Sequence, residues 1–150
     1  MAEVVSSIQI DLDPEPVWAL MCDPSRYPDF VTVTERMVDV PDGEFGVGYV
    51  YREYGGIAPF LSESEWRVTE FEPMRHQVHI GDDGKMTMPL DIELTPTDGG
   101  TRLTLTFGLK SIWYLAPVNA ILWPLMMRSR TQAAMDETVA NFKRIVESSG

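Results

Sequence analysis

The chain has 150 residues, of which 44% are hydrophobic and 23% charged, and this size and composition suit one globular domain with a single large core. Its 23 acidic and 12 basic residues give a formal net charge of -11. The basic residues are scattered singly, so the chain lacks the basic stripe that nucleic acids and anionic membranes attract. We therefore expect one domain, residues 1–150, that binds no nucleic acid.

The single cysteine and the first residues bear on the cellular compartment. Cys22 has no second cysteine with which to form an internal disulfide, and its place in an apolar helical turn favours a small packed side chain over a nucleophile. The first three residues, MAE, have neither the basic nor the apolar region of a secretory signal. The sequence thus predicts a cytoplasmic protein.

The chain begins with a predicted strand that leads into two short helices. Alternating apolar residues predict a half-buried strand over 4–12. Asp13 is expected to cap the first helix with its carboxylate, and the prolines that follow suit a first helical turn. Pro28 ends the second helix almost where it begins. Trp18 and Tyr27 are the large side chains of these helices, and we expect both to be buried against a sheet.

The middle of the chain consists of strand-like runs separated by compact turn signals. The runs cover residues 32–40, 47–54, 61–71, 75–80, 86–94 and 103–109. Turns this short connect antiparallel neighbours, not the crossovers of a parallel sheet. With the first strand, the pattern predicts an antiparallel meander of about seven strands.

The last forty residues change to a helical period. No residue between 111 and 127 is charged, but prolines interrupt this apolar stretch, and it is short for a membrane span. From Arg128 onward, apolar and charged residues alternate with helical spacing. We expect a long carboxy-terminal helix over 116–148, bent near Pro124, and no integral membrane association.

Two motifs carry a resemblance to a known family. Residues 14–30 read PEPVWALMCDPSRYPDF, and residues 46–49 read GVGY at the expected start of a strand. The chain resembles the polyketide cyclase/dehydrase and lipid-transport (SRPBCC) branch of the START-related superfamily, whose fold is shared with the major birch-pollen allergen. The resemblance spans essentially all 150 residues. One departure is Phe30, where the family more often has tryptophan.

This resemblance implies an α+β helix-grip fold. In that fold a curved antiparallel sheet of about seven strands wraps around a long C-terminal helix, and two short helices follow the first strand. The motif residues are structural, and the superfold hosts carriers, receptors, cyclases and proteins without known activity. The resemblance therefore predicts fold more sharply than chemistry, and no cofactor is expected.

A curved sheet closed by one helix leaves space between them, and function is expected there. Apolar candidates for the wall come from inward-facing positions of the strands and helix, and nine methionines suit a ligand of variable shape. The predicted ligand-binding residues are Trp66, Met88, Leu90, Phe107, Met126, Arg128 and Met135. The same apolar residues also suit a filled core.

Polar candidates are few. Of Arg128, Thr131 and Gln132, at least one is expected to face the sheet, and a buried arginine would need a ligand anion or a carboxylate such as Glu53 as its partner. Glu65 is an alternative carboxylate. The strand carrying Tyr49, Tyr51 and Tyr54 is partly apolar on both faces, so the sequence leaves their directions open.

The two histidines argue against a metal site. His76 and His79 are three residues apart in a predicted strand, so their side chains point to opposite faces and no shared metal ion is expected. An acid–base role of His76, with Glu53 or Arg128 polarising a carbonyl, stays open by analogy with the cyclases of the family.

Three functions remain open at this point. The leading hypothesis is binding or transport of a hydrophobic or amphipathic small molecule. The alternatives are a polyketide cyclase/aromatase-like enzyme, which should bring at least two titratable side chains together in the cavity, and a regulatory protein that docks through 113–115 and whose pocket is packed shut. The expected mouth lies between residues 27–30, 55–59 and 113–115. Ligand identity and oligomeric state, including a homodimer, are left open.

Overall fold

The computed structural model describes residues 2–111, 117, 121 and 127–149. Its described part contains one seven-stranded antiparallel sheet with the order β1-β7-β6-β5-β4-β3-β2, which confirms the predicted meander. The strands are β1 (Ala2–Ile10), β2 (Thr34–Asp39), β3 (Val50–Ile57), β4 (Phe60–Glu72), β5 (His76–Asp82), β6 (Met86–Thr97) and β7 (Gly100–Ser111). Strands β2 to β7 pair with one another in chain order. Strand β1 pairs with β7 and forms one edge of the sheet.

Two short helices follow β1: α1 (Pro14–Met21) and, after a 3-10 turn at Pro24–Arg26, α2 (Tyr27–Phe30). Trp18 of α1 and Tyr27 of α2 are only 5% and 4% exposed, which confirms their predicted burial. The Tyr27 hydroxyl donates to the Met21 carbonyl over 2.6 Å and ties the two helices together.

The expected side-chain cap of α1 is wrong. Asp13 occupies the N-cap position, but its carboxylate accepts no capping hydrogen bond. Pro16 contributes to this, because it occupies position N3 and lacks one of the two N–H groups, at N2 and N3, from which a capping carboxylate accepts a hydrogen bond.

The long helix α3 (Arg128–Ser149) packs against β1 and α2. Its buried face includes Phe142, which is fully buried and meets Phe30 edge-on at 5.0 Å between ring centroids. Ser6 of β1 donates to Asp136 over 2.6 Å. The described part of the helix matches the prediction, whereas its expected beginning at residue 116 and the bend at Pro124 lie outside the described residues. No helix among the described residues is long and apolar enough to cross a membrane.

Candidate ligand-binding cavity

A cavity of about 360 Å³ lies between the sheet and α3. Strands β3 to β7 supply most of its described wall, and the helices contribute Met21, Tyr27, Phe30, Thr131, Met135, Thr138 and Phe142. The wall is mainly apolar, since the sheet turns aliphatic and aromatic side chains toward α3 at alternate positions. The space expected between sheet and helix is therefore present.

Most of the sequence-predicted site residues border this cavity. Trp66, Met88, Leu90, Phe107 and Met135 all line it, and Met126 lies outside the described residues. Their role in binding stays a prediction, but the structure brings the five described apolar candidates to one wall.

Arg128 does not belong to this group. It is exposed at the first residue of α3 and does not border the cavity. The inward-facing member of the predicted trio is Thr131, which is 3% exposed and lines the cavity. A buried guanidinium would need an anionic partner, and Glu53, one of the proposed partners, accepts a hydrogen bond from Thr34 instead.

Trp66 lies flat against its neighbouring strand because that strand has a glycine there. Gly81 of β5 is the register partner of Trp66, and a Cβ atom at Gly81 would come within 2.6 Å of the indole ring. On its other side the indole stacks with Tyr51, with ring centroids 6.3 Å apart and planes 5° from parallel. The sequence suggested that Gly81 ends a strand, whereas it lies inside β5 and makes room for this ring.

A polar corner, formed by Thr34, Glu53, Ser64 and the indole N–H of Trp66, interrupts the apolar wall. The Thr34 hydroxyl donates to Oε2 of Glu53 over 2.8 Å. Nε1 of Trp66 donates to the Ser64 hydroxyl oxygen over 2.9 Å. Glu53 is 8% exposed, and burial raises the pKa of its carboxyl group while Thr34 and Trp66 oppose that rise.

A hydrogen-bonded chain beside the cavity holds His79. The Tyr51 hydroxyl lies 2.8 Å from Nδ1 of His79, and Nε2 lies 2.6 Å from the amide oxygen of Gln77. The Gln77 amide donates onward to the sulfur of Cys22 over 3.6 Å. Burial lowers the pKa of His79 to about 3, so the ring is neutral, accepting from Tyr51 and donating to Gln77.

His76 lies on the opposite face of β5, as the spacing predicted. Its Nε2 is 2.8 Å from Oδ2 of Asp91, and it does not line the cavity, so the suggested acid–base role of His76 finds no support. The sequence missed His79 because the inward positions of β5 are Gln77, His79 and Gly81, which look like a solvent-facing pattern. Among the described residues, no cluster of three or more His, Cys, Asp or Glu is placed to hold a metal ion.

The three tyrosines of the β3 region have different roles. Tyr51 is 3% exposed and lines the cavity. The Tyr49 hydroxyl donates to the Pro41 carbonyl over 2.6 Å, and the guanidinium of Arg36 lies 4.8 Å from the ring centre of Tyr54. Tyr51 is thus the inward-facing phenol, and its hydroxyl group already donates a hydrogen bond to His79.

The mouth is marked by exposed residues that also line the cavity. Phe60 is 47% exposed, and Lys85 is exposed in the β5–β6 turn. The cavity therefore opens between the β3–β4 and β5–β6 turns. The first of these was expected from residues 55–59, the second was not, and residues 113–115 lie outside the described part.

Two details of the expected mouth are corrected. Gly55 and Gly56 lie within β3, where the N–H of Gly56 donates to the Val33 carbonyl over 2.8 Å, so they belong to the sheet and not to a loose turn. Tyr27 and Phe30 are buried and line the cavity, so the α2 region is part of its wall and not of its mouth.

The curved antiparallel sheet, the long helix α3 and the two short helices after β1 form a helix-grip fold. The family described as polyketide cyclase/dehydrase and lipid transport matches residues 1–147. The chain therefore belongs to this SRPBCC family, and the resemblance seen in the sequence is confirmed.

Individual relatives are distant. A protein called Toxin Rv0910 from Mycobacterium tuberculosis is 22% identical over 143 residues, which cover 95% of this chain and 96% of that protein. The crystal structure of TTHA0849 from Thermus thermophilus superposes with a TM-score of 0.77 at 17% identity, covering 99% of each chain. Ara h 8.0201 superposes with a TM-score of 0.70 at 10% identity, covering 98% of each chain. At these identities the two structures support the fold alone.

Proposed function

We propose that this protein binds a hydrophobic or amphipathic small molecule in the cavity between the sheet and α3, as a carrier or receptor. The observation that carries this proposal is the mainly apolar cavity of about 360 Å³. Small-molecule sites typically measure about 300–1,000 Å³, with apolar walls and a few placed polar groups. The polar corner around Glu53 would orient one end of the ligand.

A second candidate, proton-transfer catalysis of the cyclase or dehydratase kind, has one specific observation in its favour. Glu53, Tyr51 and His79 all line the cavity, so titratable groups do come together there. However, both nitrogens of His79 are engaged, and its pKa of about 3 makes it a poor base near neutral pH. Burial also raises the pKa of Tyr51 well above its ordinary value, so among the described interior residues Glu53 is left as the acid–base group, which favours binding over catalysis.

The regulatory alternative loses its motivation, because it required a pocket that is packed shut, and its docking segment lies outside the described residues. A cytoplasmic location and a homodimer remain predictions from the sequence.

The test of the proposed function combines native mass spectrometry with dye binding. Gently purified protein should retain a small molecule in the mass spectrum. After delipidation, it should bind the uncharged dye Nile red at one saturable site with increased fluorescence. Absence of saturable binding by the folded protein would contradict the proposal. Turnover of a poly-β-ketone substrate that is lost in Glu53→Gln would favour the enzyme instead.

A further inference from the structure

The charges around the cavity restrict what its ligand can be. Among the described lining residues, the charged side chains are Glu53, Asp83 and Lys85. Asp83 and Lys85 belong to the turn at the mouth, whereas Glu53 is buried. The described interior therefore offers an anionic group and no cation, so a carboxylate or phosphate head group placed there would find repulsion and no counter-ion.

The hydrogen bonds of the polar corner leave acceptor positions on Glu53 and the hydroxyl donor of Ser64 unused. Oε2 of Glu53 accepts from Thr34, but a carboxylate has about four acceptor positions, and the corner fills at most two of them. The Ser64 oxygen accepts from Trp66, and no residue in the described part is placed to accept the Ser64 hydroxyl proton. Both side chains are only 8% exposed, so these unused capacities face the cavity and not bulk water.

Sheet register holds the two groups side by side. Glu53 of β3 is directly opposite Ser64 of β4, and side chains at opposed positions lie on the same face about 4.5–5.5 Å apart at their Cβ atoms. A single small polar group can therefore contact both. That group must donate to the carboxylate and accept from the serine hydroxyl.

Resting on the proposed function, we propose that the ligand is an amphipathic alcohol or phenol whose hydroxyl group binds between Glu53 and Ser64. The hydroxyl donates to Glu53 and accepts from Ser64, and the apolar remainder lies against Leu90 and Phe107. An ether has no proton to donate to the Glu53 carboxylate. An ammonium group has no lone pair to accept a hydrogen bond from the Ser64 hydroxyl. A buried Glu53 carboxylate gains a donor from the ligand in the same way as it gains one from Thr34.

The experiment measures displacement of Nile red by four probes with the same ten-carbon chain: 1-decanol, decyl methyl ether, decylamine and decanoic acid. A hydrogen bond to a charged acceptor suggests that decanol binds about tenfold more tightly than the ether or the acid. The readout is the ratio of dissociation constants, which removes general effects of a variant on the cavity.

Three variants assign the preference to the polar corner. Glu53→Leu should bring the ratio of the dissociation constant of the ether to that of decanol close to one. Ser64→Ala should reduce this ratio. Glu65→Gln is the matched control, because Glu65 is an exposed residue of the same strand pair that does not border the cavity, and it should retain the wild-type ratio. Glu53→Gln covers the case in which the leucine variant does not fold, and it should lower the ratio without reversing it.

The outcomes separate this inference from the proposed function. If the protein binds Nile red but binds decanoic acid or decylamine at least as tightly as decanol, the alcohol assignment is overturned and the proposed binding cavity is not. A decanol preference that survives in Glu53→Leu would also overturn it. If neither the dye nor any probe binds to the folded protein, the proposed function fails, and the inference fails with it.

Discussion

The two ends of the β6–β7 strand pair face α3 with similar residues but pack differently. At one end Leu94 pairs with Leu103; these side chains are 3% and 0% exposed, and only Leu103 borders the cavity. Four residues along each strand, Leu90 pairs with Phe107, and both are only half-buried and line the cavity. Alternation decides which face a side chain takes, but it does not decide whether the space in front of that side chain is filled.

Trp18 belongs to the filled part of the domain, and truncating it should have the largest effect. Its ring packs against Phe71 at 5.3 Å between centroids and is outside the cavity lining. Trp18→Ala should lower the free energy of unfolding by about 3–5 kcal/mol, because it creates a void in close-packed surroundings. Phe107→Ala should cost less, about 1–2 kcal/mol, since its ring already faces empty space. Urea melts that show equal losses for the two variants would contradict the division into filled and open parts.

Enlarging a side chain at two positions of β6 also tests the division into filled and open parts, where the previous pair of variants truncated one. Leu90→Trp should fill the cavity, abolish Nile red binding and leave a cooperative thermal transition. Leu94→Trp should destabilise the domain by about 1–3 kcal/mol through overpacking. The two measurements are dye titration and thermal melting. Unchanged dye binding in Leu90→Trp would place the binding site elsewhere.

Much of the fold was predictable because it depends on local signals. Turn residues and period-two alternation located the strands, and the motif over residues 14–30 located α1 and α2. The helix beyond Arg128 followed from its apolar stripe. These features depend on neighbours in sequence, which a single chain displays directly.

The site was less predictable because it depends on register and on unfilled volume. Leu90 and Leu94 have the same residue type and the same alternation, so the sequence could not show which one borders empty space. His79 was overlooked because an inward-facing strand position with a polar side chain resembles a solvent-facing one. Glu53 was considered as a partner of Arg128 and as a group polarising a carbonyl beside His76, but not beside Ser64, since that pairing requires the β3–β4 register. Each of these facts depends on residues distant in sequence.

The two histidines of β5 should respond to pH in opposite directions. Burial lowers the pKa of His79 from 6.5 to about 3, so the stability associated with its neutral form is present above pH 6.5 and is lost as the pH falls below it. The hydrogen bond with Asp91 raises the pKa of His76 above 6.5, so its contribution is present below pH 6.5 and is lost as the pH rises through the raised pKa.

Urea melts of His79→Gln and His76→Gln at pH 8 and pH 5.5 measure this difference. The destabilisation by His79→Gln, relative to wild type, should shrink on acidification by about 1.4 kcal/mol for each pH unit below 6.5. The destabilisation by His76→Gln should instead grow. If the penalty for His79→Gln does not shrink on acidification, His79 is not held neutral in the folded protein.

Substitution of Arg128 should have the smallest effect on stability and on dye binding, and it tests where the cavity ends. Its exposed side chain has no described contact with the cavity, so Arg128→Ala should change the free energy of unfolding by less than about 0.5 kcal/mol. Thr131, one turn further along α3, is 3% exposed and lines the cavity. Thr131→Val keeps the volume but replaces the hydroxyl with a methyl group, and it should alter the affinity for Nile red, whereas Arg128→Ala should not. A marked loss of dye affinity in Arg128→Ala would restore the arginine to the binding site and extend that site beyond the first described turn of α3.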